Sequence, residues 1–144
     1  MGRILALDYG KKRVGIAVTD TLKISANGLK TVATKDIKQF ITEYLGKEGI
    51  ECLVVGYPTK MNYQVSEAEK YIGPFIKWFS QMFPEIRVER VDERFTSRIA
   101  LSAMIEGGIR KEARRNKALV DKISAVIILQ SYLEILKQKN PDKT

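Results

Sequence analysis

Three acidic residues, Asp8, Glu93 and Asp121, stand where their side chains could meet and do chemistry. Three carboxylates at one edge of a fold repel one another unless a cation offsets their charge, and all-oxygen ligands favour Mg²⁺ or Mn²⁺ over Zn²⁺. The chain has no histidine, which excludes Ser-His-Asp triads, Cys-His pairs and the usual zinc sites. We therefore expect a divalent metal site made of acids.

Such a site suits hydrolysis of a phosphodiester bond. Bound metal supplies hydroxide near neutral pH, and a pair of ions can stabilise the attacking and leaving oxygens of an in-line displacement. In this scheme Asp8 bridges two ions, while Glu93 and Asp121 each complete one coordination shell.

Each acid also has a structural interpretation. An Asp before Tyr-Gly, as at Asp8, is often only a turn former. Glu93 could pair with Arg94, and Asp92 competes for the metal role because adjacent strand residues face opposite ways. Asp121 could be a solvated acid near a helix N-terminus. Only the three acids together favour catalysis.

Five segments are predicted as the strands that position these acids. Residues 3–8 and 13–19 form a hairpin, the third segment completes a meander, and the last two have helices on either side, as parallel strands do. The last three segments are residues 28–33, 51–56 and 86–91.

Apolar residues at helical spacing predict the intervening elements. Asp36 would cap a helix with the apolar face Ile37, Phe40, Ile41, Tyr44 and Leu45. A second helix covers residues 65–83, kinked or divided at Gly73-Pro74. Two more helices cover residues 96–106 and 118–138. The alternation predicts an α/β domain with a mixed sheet and helices on both faces.

In such sheets, sites lie beyond the carboxyl ends of parallel strands. Asp8 and Glu93 end the first and fifth strands, so parallel neighbours would bring them to one edge. Asp20 ends the returning strand of the hairpin, roughly 20 Å away. On the last helix, Asp121 shares a face with the small Ser124 and Ala125, which lets that helix approach the sheet closely and present Asp121 inward.

The 144-residue chain has a formal net charge of +8, which favours an anionic partner such as nucleic acid or an acidic membrane surface. Residues 110–117 carry a net charge of +4 just before the helix with Asp121, and beside the site they favour phosphate binding over a solvated loop. Gly10 and Gly15 leave room for close backbone approach in the hairpin. The basic residues expected to bind nucleic acid are Lys11, Lys12, Arg13, Arg94, Arg110, Lys111, Arg114, Arg115 and Lys117.

The remaining composition indicates one domain, residues 1–144, in a reducing compartment. Cys52 is the only cysteine and lies in an apolar run, so a buried thiol is expected. No apolar stretch approaches the roughly 20 residues that cross a membrane, and the N-terminal apolar run is too short for a signal peptide. We expect a cytoplasmic protein that does not enter membranes.

Four motifs together resemble the YqgF family, also called RuvX, over about residues 2–137. They are Asp8-Tyr9-Gly10-Lys11-Lys12-Arg13-Val14-Gly15-Ile16-Ala17, Val55-Gly56-Tyr57-Pro58, Asp92-Glu93-Arg94-Phe95-Thr96-Ser97 and the helix from Asp121 to Gln130. The resemblance implies a ribonuclease H-like fold, a five-stranded mixed sheet of order 3-2-1-4-5 with helices on both faces. It also implies a metal-dependent nuclease whose acids match Asp8, Glu93 and Asp121.

The resemblance leaves two alternative substrates. One is precursor 16S ribosomal RNA in ribosome biogenesis, and the alternative is a four-way DNA junction in recombination and repair, which calls for a homodimer cutting symmetrically. An actin- or sugar-kinase-like ATPase is disfavoured. Such enzymes, by resemblance, hold nucleotide between two domains of this fold, and only one domain is expected here. A non-catalytic nucleic-acid binder with structural acids is the remaining class.

Overall fold

The structure is a computed structural model, and it describes residues 2–57, 69–92 and 116–139. Within these ranges, five strands form one sheet of order β3-β2-β1-β4-β5. β2 pairs antiparallel with β1 and β3, whereas β4 pairs parallel with β1 and β5. The predicted order and mixed character of the sheet are confirmed. The strands are β1 Arg3–Tyr9, β2 Arg13–Thr19, β3 Ala26–Ala33, β4 Ile50–Tyr57 and β5 Arg87–Asp92.

The central strand β1 is apolar throughout its middle because both of its faces are buried. Side chains alternate between the two faces of a strand. Leu5 and Leu7 belong to one hydrophobic cluster, and Ile4 and Ala6 belong to another on the opposite face. All four are at most 1% exposed. A continuous apolar run is the expected sequence of such a strand.

Helices cover both faces of the sheet, as predicted. Helices α1, Ile37–Lys47, and α2, Glu69–Met82, pack on the face with Leu5 and Leu7. Helix α3, Lys117–Lys139, packs on the other face with Ala125, Ile128, Leu129 and Tyr132. We call the latter the α3 face of the sheet.

The expected cap of α1 is wrong. A 3-10 turn, Thr34–Asp36, precedes the helix, and the backbone N–H of Ile37 donates to Thr34 O. Asp36 has φ −102° and ψ −1°, and its side chain makes no capping hydrogen bond. An N-cap needs an extended backbone to aim its side chain at the first turn, and the 3-10 turn removes that geometry.

Helix α2 continues through Pro74 as one helix, so the proline does not divide it. The proline lies in the second turn, where it removes one backbone donor, and its ring is exposed. The helix is amphipathic, and Ile72, Phe75 and Phe79 enter the core. The predicted beginning of this helix before Glu69 and the whole predicted helix 96–106 lie outside the described residues.

Cys52 is buried on the α3 face, as expected. Its side chain is 0% exposed, and its Sγ lies 3.9 Å from the hydroxyl of Tyr132. Burial raises the pKa of the Cys52 thiol, which keeps it protonated and unreactive. None of the helices in the described part of the chain has the length and apolarity needed to span a lipid bilayer.

Candidate active site

Asp8 lies near the carboxyl end of β1, on the α3 face of the sheet. It is two residues beyond Ala6 and four beyond Ile4, which both pack under α3. In the antiparallel pair it lies opposite Gly15 of β2. Its side chain is partly buried. The structure therefore places one acid of the predicted trio at the expected end of the central strand.

The backbone of helix α3 contacts the sheet at Gly15, the residue opposite Asp8. A Cβ built on Gly15 would lie 2.0 Å from the carbonyl oxygen of Asp121 and 2.9 Å from the nitrogen of Lys122. Only glycine leaves room for a helix backbone at this distance. Ser124 and Ala125, 2% and 0% exposed, keep the next turn of the helix close as well. Asp121 is thus brought to the residue that pairs with Asp8.

The carboxylate of Asp121 forms an ion pair with Arg13. The Arg13 Nε donates to Asp121 Oδ2 at 3.0 Å, and the two side chains are 36% and 24% exposed. Arg13 begins β2 and shares a face with Gly15. Asp121 is therefore not a freely solvated helix acid, and its side chain lies at the end of the sheet where β1 ends.

The third predicted acid, Glu93, lies outside the described residues. Its neighbour Asp92 ends β5, pairs with Tyr57 and is exposed. Val91 packs under α3, so alternation places Asp92 on the opposite face from Asp8. Within the described ranges, no group of three acidic, histidine or cysteine side chains could hold a metal ion.

The strand register puts the end of β5 level with Asp8. Leu7 pairs with Val55 of β4, and Gly56, the next residue, pairs with Val91. Asp8 and Val91 therefore lie at the same height, two strands and about 10 Å apart. Gly56 between them is buried and has no side chain.

The β1–β2 turn presents two of the predicted basic residues at this end. Lys11 and Lys12 are exposed. Thr34 fixes the turn, because its backbone N–H donates to Lys12 O at 3.0 Å and its hydroxyl donates to Gly10 O at 2.7 Å. The turn therefore holds two cations beside Asp8 on a fixed backbone.

Lys117 is exposed at the first turn of α3. Asn116 caps that helix, since its side-chain Oδ1 accepts from the backbone N–H of Leu119 at 3.2 Å. The hydroxyl of Thr31 on β3 donates to Ala118 O at 2.6 Å and fastens the same turn to the sheet. The other predicted nucleic-acid contacts lie outside the described residues: Arg94, Arg110, Lys111, Arg114 and Arg115.

Two residues near Asp8 serve the fold. A Cβ on Gly10 would lie 2.7 Å from Arg13 O, so the tight hairpin itself needs this glycine. Tyr9 points to the face opposite Asp8, where its ring centroid lies 4.8 Å from that of Phe75. Burial raises the pKa of the Tyr9 hydroxyl.

Arg90 is a positioning residue that the sequence did not single out. Its Nε donates to Val55 O at 3.2 Å, and its Nη2 donates to Gly56 O at 3.0 Å and to Glu69 Oε1 at 2.6 Å. In this ion pair the Arg90 side chain is 28% exposed and the Glu69 side chain is 14% exposed. Arg90 thus joins the end of β4 to the first described turn of α2. Four of the six residues of β5 are charged, so no sequence pattern distinguished Arg90 from its neighbours.

Asp20 lies at the opposite end of the sheet from Asp8, as predicted. Thr19 of β2 reaches the beginning of β1, where its hydroxyl accepts from the Ile4 N–H. Asp20 Oδ1 accepts from the backbone N–H groups of Ser25 and Ile24. These hydrogen bonds, the one from Ser25 first, lower the pKa of Asp20. Its function is to order the β2–β3 loop.

The described donors fit a hard divalent cation. The carboxylates of Asp8 and Asp121 lie on one face of the sheet, because Gly15 pairs with Asp8 and contacts the backbone of Asp121. Carboxylates belong to the ligand class that Mg²⁺ and Mn²⁺ prefer. Arg13 offsets part of the negative charge of this pair.

The chain is similar to proteins of one known family over nearly its whole length. The model of the RuvX family, described as Holliday junction resolvase, matches residues 2–135. A protein of Phocaeicola vulgatus is 57% identical over 137 residues, covering 95% of this chain and 99% of its own length. One of Porphyromonas gingivalis is 54% identical over 143 residues, covering 99% and 100%. Both carry the curated name "Putative pre-16S rRNA nuclease".

A solved structure shares the fold. The Fowlpox virus resolvase, crystallised with substrate Holliday junction DNA, superimposes with a TM-score of 0.60 at 14% identity, covering 93% of this chain and 98% of the viral one. At this identity the likeness concerns the fold alone, which is ribonuclease H-like.

Proposed function

The chain belongs to the RuvX family, and from that membership we propose that it is a nuclease acting on precursor 16S ribosomal RNA. The relatives named for this activity match it over nearly their whole length. A bacterial enzyme of this kind works in the cytoplasm, where ribosomes are assembled.

The placement of Asp8 and Asp121 carries the proposal. Two acids 113 positions apart in the chain reach one end of one sheet face, and the intervening contact at Gly15 allows nothing larger than glycine. A core helix packed only for stability has no need of a carboxylate at this contact. We assign both residues as catalytic, metal-binding acids.

Glu93 is our third catalytic and metal-binding acid. Val91 faces α3, and the two-residue period of a strand favours Glu93 over Asp92 for the same face. Asp92, on the opposite face, is not assigned to the site.

The cofactor we propose is Mg²⁺ or Mn²⁺, as a pair of ions. When bound, divalent ions activate water and offset the charge that develops on the scissile phosphate. The residues of this chain supply the other requirements. The carboxylates hold the cations, and Lys11 and Lys12 attract the phosphate backbone to the end of the sheet where Asp8 lies.

The substitution Asp8→Asn tests the assignment. We expect turnover of labelled precursor RNA with Mn²⁺ to fall by at least about 100-fold, because the amide removes a negative ligand, while RNA affinity changes little. Asp20→Asn is the matched control, since it removes an equal charge at the far end of the sheet and keeps an acceptor for the loop. Unchanged cleavage by Asp8→Asn would refute the catalytic role.

A DNA junction resolvase is the second candidate, and the description of the family model favours it. Such an enzyme must cut two strands symmetrically, which calls for a two-fold homodimer. Gel filtration followed by incubation with a labelled four-way junction separates the two functions. Symmetric junction cleavage by a dimer, without cleavage of the precursor RNA, would replace our RNA assignment.

A further inference from the structure

Arg13 has a contact that its expected function does not explain. A residue that only binds substrate phosphate should point its guanidinium into solvent. Instead, its Nε donates to Asp121 Oδ2 at 3.0 Å. The bond joins the beginning of β2 to a helix residue 108 positions away. In the described part of the chain, no hydrogen bond to the other carboxylate oxygen, Oδ1, accompanies it.

The backbone geometry sets the direction in which the Asp121 side chain extends. Asp121 has its backbone over Gly15, and Arg13 lies two residues before Gly15 on the same face of β2. Two residues of a strand span about 7 Å. The Asp121 side chain must therefore extend from Gly15 toward the β1–β2 turn. Arg13 holds it pointing to the end of the sheet where Asp8 lies.

The electrostatics explain why such a hold is needed. Asp8 lies opposite Gly15, so the carboxylates of Asp8 and Asp121 start from adjacent backbone positions. Like charges repel, and the ion pair with Arg13 holds the Asp121 carboxylate in place against that repulsion. Arginine remains charged at all relevant pH values and has directional donors, so it can hold one oxygen and leave the other for a ligand.

We propose that Arg13 is a positioning residue that binds Asp121 Oδ2 and thereby orients the carboxylate for the divalent cation. The proposal rests on the proposed function, which makes Asp121 a metal ligand. It assigns Arg13 to the metal site and not primarily to the phosphate backbone. Residues that orient metal ligands typically contribute about 10- to 100-fold to metal affinity.

Mn²⁺ affinity without nucleic acid tests this role by isothermal titration calorimetry. We expect Arg13→Ala to weaken Mn²⁺ binding by about tenfold or more. Removing a positive charge near a cation site would by itself strengthen cation binding. A loss of affinity therefore separates positioning from a simple charge effect. Arg13→Gln provides a second variant of similar length, with the same expected direction.

Arg87→Ala is the matched control. Arg87 also begins a strand and contacts α3, since its Nη2 donates to the Tyr132 hydroxyl at 3.1 Å. It begins β5, so it lies at the opposite end of the sheet from Asp8. We expect its replacement to leave Mn²⁺ affinity within about twofold of the parent. Circular dichroism at the titration temperature verifies that each variant is folded.

A double-mutant cycle identifies the route of the effect. If Arg13 acts through Asp121, adding Arg13→Ala to Asp121→Asn should change Mn²⁺ affinity no further. In cleavage assays, Arg13→Ala should lower kcat with KM within about twofold. A phosphate contact would instead raise KM and reduce its salt dependence.

Unchanged or tighter Mn²⁺ binding by Arg13→Ala would overturn the proposal, as would an equal loss in the Asp121→Asn background. Asp8→Asn distinguishes this failure from failure of the proposed function. If Asp8→Asn weakens Mn²⁺ binding and Arg13→Ala does not, only the role of Arg13 is wrong. If Asp8→Asn binds Mn²⁺ as the parent does, the metal site itself is wrong.

Discussion

The substitution Gly15→Ala probes the contact that unites the site. Gly15 lies between Asp8 on the neighbouring strand and the backbone of Asp121 on α3. The new Cβ would lie 2.0 Å from one backbone atom of Asp121 and 2.3 Å from another. Backbone atoms cannot rotate away as a side-chain end can, so the helix itself has to move.

The size of the effect follows from that overlap. The Cβ falls roughly 1.4 Å short of an ordinary contact with the Asp121 carbonyl oxygen. Overpacking costs about 1–3 kcal/mol, and a rigid neighbour places this case near 3 kcal/mol. For a chain of this length the melting temperature should fall by about 10 °C. A catalytic group displaced by about 1 Å loses roughly 100-fold in rate, so we expect kcat to fall by about that factor.

Thermal unfolding by circular dichroism and cleavage assays well below the lower melting temperature measure the two effects separately. Gly28→Ala is the matched control under the same helix, because its Cβ would meet the flexible Lys122 side chain at 3.0 Å. It should cost less than about 1 kcal/mol and spare kcat. A Gly15→Ala protein with the stability and kcat of the parent would show that α3 does not contact β2 at Asp121.

Two further variants test the effects of single charged groups and of a charged pair. The lowered folded-state pKa of Asp20 means that its carboxylate stabilises the fold above the unfolded pKa, near the reference value of 3.8, and that this contribution disappears as pH falls through the folded pKa. Asp20→Asn should therefore melt below the parent at pH 6, with the difference shrinking as the pH falls below the reference value of 3.8; a constant difference would exclude ionisation as its cause. Reversal of Arg114 and Arg115 to Glu should weaken RNA binding and reduce the slope of log K against log salt by about two. Reversal of the exposed Lys47 and Lys77 is the charge-matched control, and an unaltered slope for the arginine pair would favour a solvated loop.

Local sequence patterns were sufficient for most of the fold. The nearly continuous apolar runs of β1 and β2 and the helical spacing of α1 and α3 depend only on neighbouring residues. They predicted Asp8 at the end of the central strand and Asp20 at the far end. The cap of α1 failed because a 3-10 turn, which depends on hydrogen-bond geometry rather than residue type, precedes the helix.

Contacts between distant segments were decided by the tertiary structure alone. The sequence indicated that α3 could come close to the sheet, but it did not identify which residue would lie over Gly15. It predicted that Arg13 binds the substrate. Which strand residue lies under Asp121 depends on the rotation and position of α3, and these are set by the packing of the whole α3 face. Periodicity determines which side of a helix is buried, whereas the partner of each buried or charged group is determined only when both segments are in place.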